Sequence, residues 1–430
     1  MLYTLLLTAL FVAIATPSFA HAIPADNAAG GASTPGQAHG SIIATVYTTA
    51  QSKLEIKIAN NASDTMYAYL TGIDPSNGKA VVFQNGADRG YYPTQSGVID
   101  SVLNQLEIEI GTNTDKTVTL KQNLSSGRVY IGAKKMTFMA DPSGNVLTPS
   151  PSDPNDPNYG FPWGLAELTW SNDGQLATDL SFVDSFSLAL GLKVTTTDGN
   201  EIYNPGLPAG SLKKVCDQLS AVSDDWGNMC VKDQNGKPVR AIAPSKYIND
   251  TTADSIKTFY DPYVDDVWKR YSTDELTINT QQEEWGQNVT CKCGGSVMAC
   301  AQPDGKTYNY NKPTTMEILG CNGGPFTSSG DGNDLQSRTW PRLCAAFTRS
   351  TLLLDGGDVT PSSEMGANKY YTTNRTNHYA RIIHNVATPS SVGTYAFAFD
   401  DVNAPGTGEN EAGLFQVGNA KSVEIEVRGT

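Results

Sequence analysis

Glu167 and Asp184 lie on two successive strand-like runs, GLAELTW and QLATDLSFVDSFSLAL, joined by the turn sequence Ser171-Asn172-Asp173-Gly174. If Asn172-Asp173 or Asp173-Gly174 forms the bend of a two-residue hairpin, Glu167 stands opposite an even-numbered residue. Asp184 then shares its face, and Asp179 points the other way as a solvated acid. An acid and a carboxylate on one concave face are the equipment of glycoside hydrolysis. The same strands read equally as a barrel wall carrying solvated acids. A flat ladder sets Asp184 about four to six residues past the partner of Glu167, roughly 13 to 20 Å at about 3.3 Å per residue. Twist, a bulge or leaning side chains must close that gap.

Around this pair, Thr169 shares the face of Glu167 at i+2 and could hydrogen-bond a sugar hydroxyl, or serve only as a surface β-threonine. Trp163 and Trp170 are candidates to desolvate Glu167. Asp400 and Asp401 follow the strand-like run Tyr395–Phe399; they could add acidity to a substrate groove, or simply open a turn. His378 and His384 are six apart rather than the four of a helical metal pair, so neither a metal site nor a Ser/His nucleophile is expected. No cofactor is expected. Tyr67, Tyr69, Tyr91 and Tyr92 could stack on sugar rings, but alternating strand aromatics are usually core.

The elements that must position these residues are mostly strands. Charged residues are 17% of the 430 and glycines number 40, which favours short strands and turns over long helices. From Ser41 to about Asn204 turn-marked runs such as Leu54–Ala59, Met66–Leu70, Leu106–Ile110 and Arg128–Ile131 point to a sandwich or barrel. Beyond Pro205 helical spacing enters: Leu212–Leu219 with Ser211 as N-cap, Thr252–Phe259, Pro262–Tyr271 with proline in the first turn, and Trp340–Phe347. Strand character returns at Tyr395–Phe399 and Ser422–Val427. The expected organisation is a β-domain of 41–204 and 388–430, interrupted by a mixed α/β domain of 205–387, with a cleft between the lobes.

An apolar run from Leu2 to Ala15 followed by small residues reads as a signal peptide of residues 1–20, cleaved after Ala20 or Ala22. Residues 23–40 read as a flexible leader. Secretion to the cell exterior or wall is therefore expected. Seven cysteines in an exported chain imply disulfides and one leftover thiol, with Cys216–Cys230 a plausible local bridge. Acceptor sequences at Asn61, Asn123, Asn249, Asn288 and Asn374 mark candidate glycosylated loops. A net charge of −14 argues against nucleic acid and anionic membranes and is compatible with a neutral polymer. A monomer is expected.

The ordered stretches LEIKIANN, TMYAYLTG, SGRVYIGAKKMTFM, DPNDPNYGFPWGLAELTW, LSFVDSFSLAL, GLPAG, YDPYVDDVWKRYS, LGCNGGPF, WPRLCAAFTRSTLL, NHYARIIH and YAFAFDDV resemble fungal members of glycoside hydrolase family 64. That family comprises β-1,3-glucanases built on a thaumatin-like barrel. The resemblance implies such a barrel packed against a mixed α/β domain, with a wide groove for β-1,3-glucan. It also implies an inverting mechanism in which the Glu of an E-[FL]-T segment is the acid and the Asp of a [YF]-V-D segment the base, falling here on Glu167 and Asp184. The chain departs from the family pattern in a connecting loop one residue longer, at Asn172-Asp173-Gly174, and in Leu165-Ala166 before the glutamate. A glucan-binding thaumatin-like protein without turnover is the alternative, since fold does not guarantee chemistry.

Overall fold

Along Leu54–Asn60 the side chains alternate: Leu54, Ile56 and Ile58 are buried while Glu55 and Lys57 face partly outward, the period of a strand with one face on a core. The computed structural model describes residues 52–430 except 102, 250–251, 282–287, 328–333 and 391. The expected signal peptide and leader lie outside the described residues.

The molecule is mainly β, with its helices between Ser211 and Val386 among the described residues. A five-stranded sheet has the order Glu201–Asn204, Leu190–Thr196, Ala420–Val427, Leu54–Asn60, Thr114–Leu120. Among the described residues the last strand thus lies beside the first, running parallel to it. A larger sheet carries, in order, Phe415–Val417, Leu176–Ser181, Trp163–Trp170, Leu124–Gly132, Met66–Asp74, Lys79–Phe83 and Gly90–Tyr91, with Ile108–Ile110 also on Met66–Asp74. The sheets share one core in which Ile56, Leu192 and Ile425 meet Leu70, Val129, Leu168 and Leu180.

The other face of the larger sheet is divided. Tyr69, Tyr130, Trp163 and Leu165 are buried in a second core with Phe138 and Ile99, under the small sheet of Gly97–Ile99, Phe138–Ala140 and Val146–Leu147. Beyond its edge the same face carries Arg128, Glu167, Thr169 and Asp179.

The middle region combines the helices Ser211–Val222, Asp261–Thr273, Thr315–Gly320, Asp334–Arg349 and His378–Val386 with a five-stranded sheet and a three-stranded one. Ser211 is the first helical residue rather than the cap. Gly210 caps from the left-handed region at φ 78°, and the Ser211 hydroxyl donates back to the Pro208 carbonyl at 2.5 Å. The helix expected over Thr252–Phe259 is a single turn, Asp254–Lys257.

Tyr395–Phe399 is not a strand. Tyr395 makes one bridge to Ser181, and the chain then turns with Phe399 at φ 72°, held by the Asp400 carboxylate accepting the Ala396 N–H. Disulfides join Cys216 to Cys230, Cys291 to Cys300 and Cys321 to Cys344, leaving Cys293 unpaired and buried.

Candidate active site

The connection after Trp163–Trp170 uses three residues, not two. Ser171 N–H donates to the Gln175 carbonyl and Gly174 N–H to the Ser171 carbonyl, both at 2.9 Å, with Gly174 at φ 83°. This is the three-residue loop whose third position is left-handed and suited to glycine. The extra residue reverses the expected parity. Glu167 stands opposite odd-numbered Asp179, so Asp179 shares its face and is 7% exposed rather than solvated. On its other side Glu167 pairs with Arg128, which pairs with Thr71. One rung of the sheet therefore reads Thr71, Arg128, Glu167, Asp179 across four strands, with side chains on one face.

Arg128 was not singled out from the sequence, although its place in the alternating run Arg128–Ile131, an isolated charge beside apolar neighbours, is the signal that could have found it. Its Nε donates to Glu167 Oε1 at 3.0 Å and its Nη1 to Thr148 Oγ1 at 3.0 Å. Burial opposes its charge, yet Tyr130, Glu167 and Asp184 together hold the guanidinium pKa above its ordinary value. A bulge precedes it: the register slips between Leu168 and Trp170, with Ser126 at φ 48°. Ser126 N–H donates to Thr169 Oγ1 at 3.3 Å, so Thr169 has a backbone partner as well as a half-exposed position beside Glu167.

Asp184 does not belong to the hairpin. The strand ends at Ser181; Phe182 N–H then bonds the Tyr395 carbonyl at 2.8 Å, and Ala243 N–H bonds the Asp184 carbonyl at 3.0 Å. The chain bends here, so that Ser185–Phe186 joins Pro238–Ile242 in the three-stranded sheet. Leaving the ladder is what frees Asp184 from the spacing that a flat hairpin imposes. Lys246 Nζ lies 3.3 Å from Asp184 Oδ1. Tyr379 flanks the bend, its hydroxyl donating to the Phe182 carbonyl at 2.8 Å; burial and then the Asp184 charge push its pKa up. Glu167 and Asp184 thus both act on one guanidinium, with side chains 40% and 34% exposed.

The remaining candidates separate. Asp400 is fully buried: one oxygen accepts from Arg349 at 3.0 Å, the other from His384 and the Ala396 N–H, each at 2.9 Å. A sugar hydroxyl has no surface of Asp400 to reach, which corrects its expected place in the groove. Asp401 is exposed and accepts the Tyr395 hydroxyl at 2.9 Å. Trp170 belongs to the inner core, on the face opposite Glu167, whereas Trp163 shares the outer face and lies 4.9 Å from the Arg240 guanidinium. Among the described residues no cluster of three His, Cys, Asp or Glu is set to hold a metal ion. A concavity of about 720 Å³ lined by Asp64, Thr65, Tyr67, Ala133, Lys134 and Lys135 contains none of these carboxylates. The face that carries Arg128 and Glu167 is open and separate from that concavity.

A family model described as "Beta-1,3-glucanase", of glycoside hydrolase family 64, matches residues 52–427. The chain is 28% identical over 291 residues to proteins named glucan endo-1,3-beta-glucosidase from Cellulosimicrobium cellulans and from Arthrobacter sp. (strain YCWD3). In each case the match takes in 67% of this chain and 50% of the relative, so the chain spans about half the length of these relatives. The fold is shared with a laminaripentaose-producing beta-1,3-glucanase solved in complex with laminaritetraose, at TM-score 0.74 and 23% identity over 88% of this chain and 99% of that one. It is shared too with a beta-1,3-glucanase domain from Clostridium beijerinckii, at TM-score 0.66 and 19% identity over 87% and 98%.

Proposed function

Because the chain belongs to the β-1,3-glucanases of glycoside hydrolase family 64, we propose that it is a secreted endo-β-1,3-glucanase, cutting laminarin-like or cell-wall glucan by inversion. The observation that carries this reading is the geometry of the two acids: Glu167, half-exposed on a polar rung of the larger sheet, is held by Arg128, and Asp184 is released from the hairpin ladder by the bend after Ser181 and held by Lys246. The glucan bound in the laminaritetraose complex of a like-folded glucanase supports the substrate class. Three disulfides support an oxidising destination. The return of the last strand to the first supports the finer architecture, a thaumatin-like barrel interrupted by a mixed α/β domain with the groove between the lobes.

In the mechanism, Arg128 holds Glu167 Oε1 and leaves Oε2 to carry the proton. That proton passes to the glycosidic oxygen as the bond from C1 breaks. Asp184 takes a proton from a water that attacks C1 on the opposite side, so C1 gains a hydroxyl of inverted configuration. Lys246 positions Asp184, and Thr169 and Asp401 border the substrate.

The test follows reducing ends released from laminarin by the unmutated protein, Glu167→Gln and Asp184→Asn. Turnover is expected only in the first, with fresh product in the α-anomer by NMR. An initial β-anomer would reject inversion, and glucan binding without turnover in the unmutated protein would favour the non-catalytic reading.

A further inference from the structure

Asp179 is a carboxylic acid in a place that the reaction drawn above does not use. It stands directly across the strand pair from Glu167, where opposed side chains have Cβ atoms about 4.5 to 5.5 Å apart. It is 7% exposed, and its Oδ1 has no hydrogen-bond partner among the described residues. The groups that act on it are Glu167 on the neighbouring strand and Asp401 on the C-terminal loop. Tyr395, which bonds Asp401, feels the charges of both Asp401 and Asp179, and Arg128 lies on the far side of Glu167. No cation is paired with Asp179 among the described residues. A carboxylate this buried, with one oxygen unpartnered and no counterion, is strongly disfavoured, and a like charge on the adjacent strand disfavours it further.

We propose that Asp179 is a positioning residue for the glucanase reaction, forming with Glu167 a carboxyl pair that retains one proton at neutral pH, so that an acid is ready at the glycosidic oxygen. Burial first, then Glu167, then Asp401 push the pKa of Asp179 well above the usual carboxylate range, in keeping with that arrangement. The last proton leaves the pair against a charge already present. Each turnover takes that proton to the leaving oxygen, and solvent restores it. Asp184, off the hairpin and held by Lys246, stays outside the pair and supplies the base. This inference rests on the glucanase reading and on Glu167 as its acid.

The discriminating variant is Asp179→Asn, which keeps the shape and removes the second titration. Loss of the acid's proton sets the alkaline limb of kcat/KM against pH. Without a charged neighbour that proton is lost more easily, so the limb should move toward acid by about one pH unit, while the acid limb stays. A purely structural role for Asp179 would lower activity at every pH and leave both limbs in place, which would overturn the proposal. In parallel, carboxyl-carbon NMR titration of the unmutated protein should show Glu167 and Asp179 each responding in two steps that mirror one another; independent single-step curves would overturn it even if the variant does not fold. Should the unmutated protein release no reducing ends, the glucanase reading fails by itself, and the titration still decides whether the pair shares a proton.

Discussion

Arg128 bonds one of the two candidate acids, and its consequences can be separated from theirs. Its guanidinium bonds Glu167 and Thr148 and feels Asp184 as well, so it orients one carboxyl and sets the field between two. A planar donor fork does this in a way a point charge does not. Arg128→Met is therefore expected to lower kcat on laminarin about a hundredfold, the scale of losing one preorganised polar group. Arg128→Lys should recover only part of that loss, and Arg128→Met should also lower the thermal midpoint, since the side chain is only 24% exposed and its bonds to Glu167 and Thr148 are lost with it. Equal rates for all three proteins would remove Arg128 from the reaction.

At the scale of the element, the hairpin Trp163–Ser181 shows where sequence stops specifying geometry. Its strands were legible, because apolar residues alternate along both. Its parity was not: Ser171-Asn172-Asp173-Gly174 satisfies a two-residue or a three-residue turn, and one residue decides which side Asp179 occupies. Arg128 was hidden because its partner is 39 positions away in the chain. Asp400 was misplaced because Tyr395–Phe399 has strand composition, whereas Phe399 at positive φ and the hydrogen bond from Ala396 make it a turn. Glu167 and Asp184 stood out as chemistry-bearing types, but the placing of Asp184 depends on a bend after Ser181 that no local pattern encodes. Two glycines test this account. Gly174→Ala strains a left-handed turn at the far end of the hairpin and should cost about 1 kcal/mol of stability with kcat retained. Gly127→Ala would set a Cβ 2.7 Å from the Leu168 carbonyl and from Leu124 Cδ2, beside Arg128. It should displace the rung and reduce kcat as well. Denaturant unfolding and laminarin hydrolysis measured side by side would distinguish the two effects.

For the whole molecule, the joint between the helical region and the C-terminal loop is a buried ion cluster. Arg349, the last residue of Asp334–Arg349, donates to the Asp400 carboxylate and to the Asp400 and Val402 carbonyls. His384 from His378–Val386 bonds the other Asp400 oxygen, with Glu411 3.8 Å from its second nitrogen. Burial opposes the charge on His384, but Asp400 and Glu411 outweigh it and raise its pKa. Burial likewise opposes ionisation of Asp400, and His384 and Arg349 outweigh it and lower its pKa. Glu411 is raised, chiefly by burial. The signs then follow from proton linkage. Asp400 contributes stability above its unfolded pKa of about 3.9 and loses it as pH falls through its depressed folded value. His384 contributes below its unfolded pKa of about 6.5 and loses it as pH rises through its elevated folded value, with Glu411 acting in the same direction. The cluster is tightest between about pH 4 and 6.5. His384→Gln should accordingly lower the thermal midpoint more at about pH 5.5 than at about pH 8.5, where the charge is already fading. Equal losses at both would show that the ring contributes through packing alone, on Tyr371, which stacks at 5.9 Å. Asp400→Asn leaves the Arg349 charge buried without its counterion and should cost about 3 to 5 kcal/mol. Asp401→Asn, one residue away but exposed, should leave the midpoint nearly unchanged and alter KM for laminarin instead. That contrast between adjacent aspartates would separate the joint that holds the loop from the surface proposed to meet the glucan.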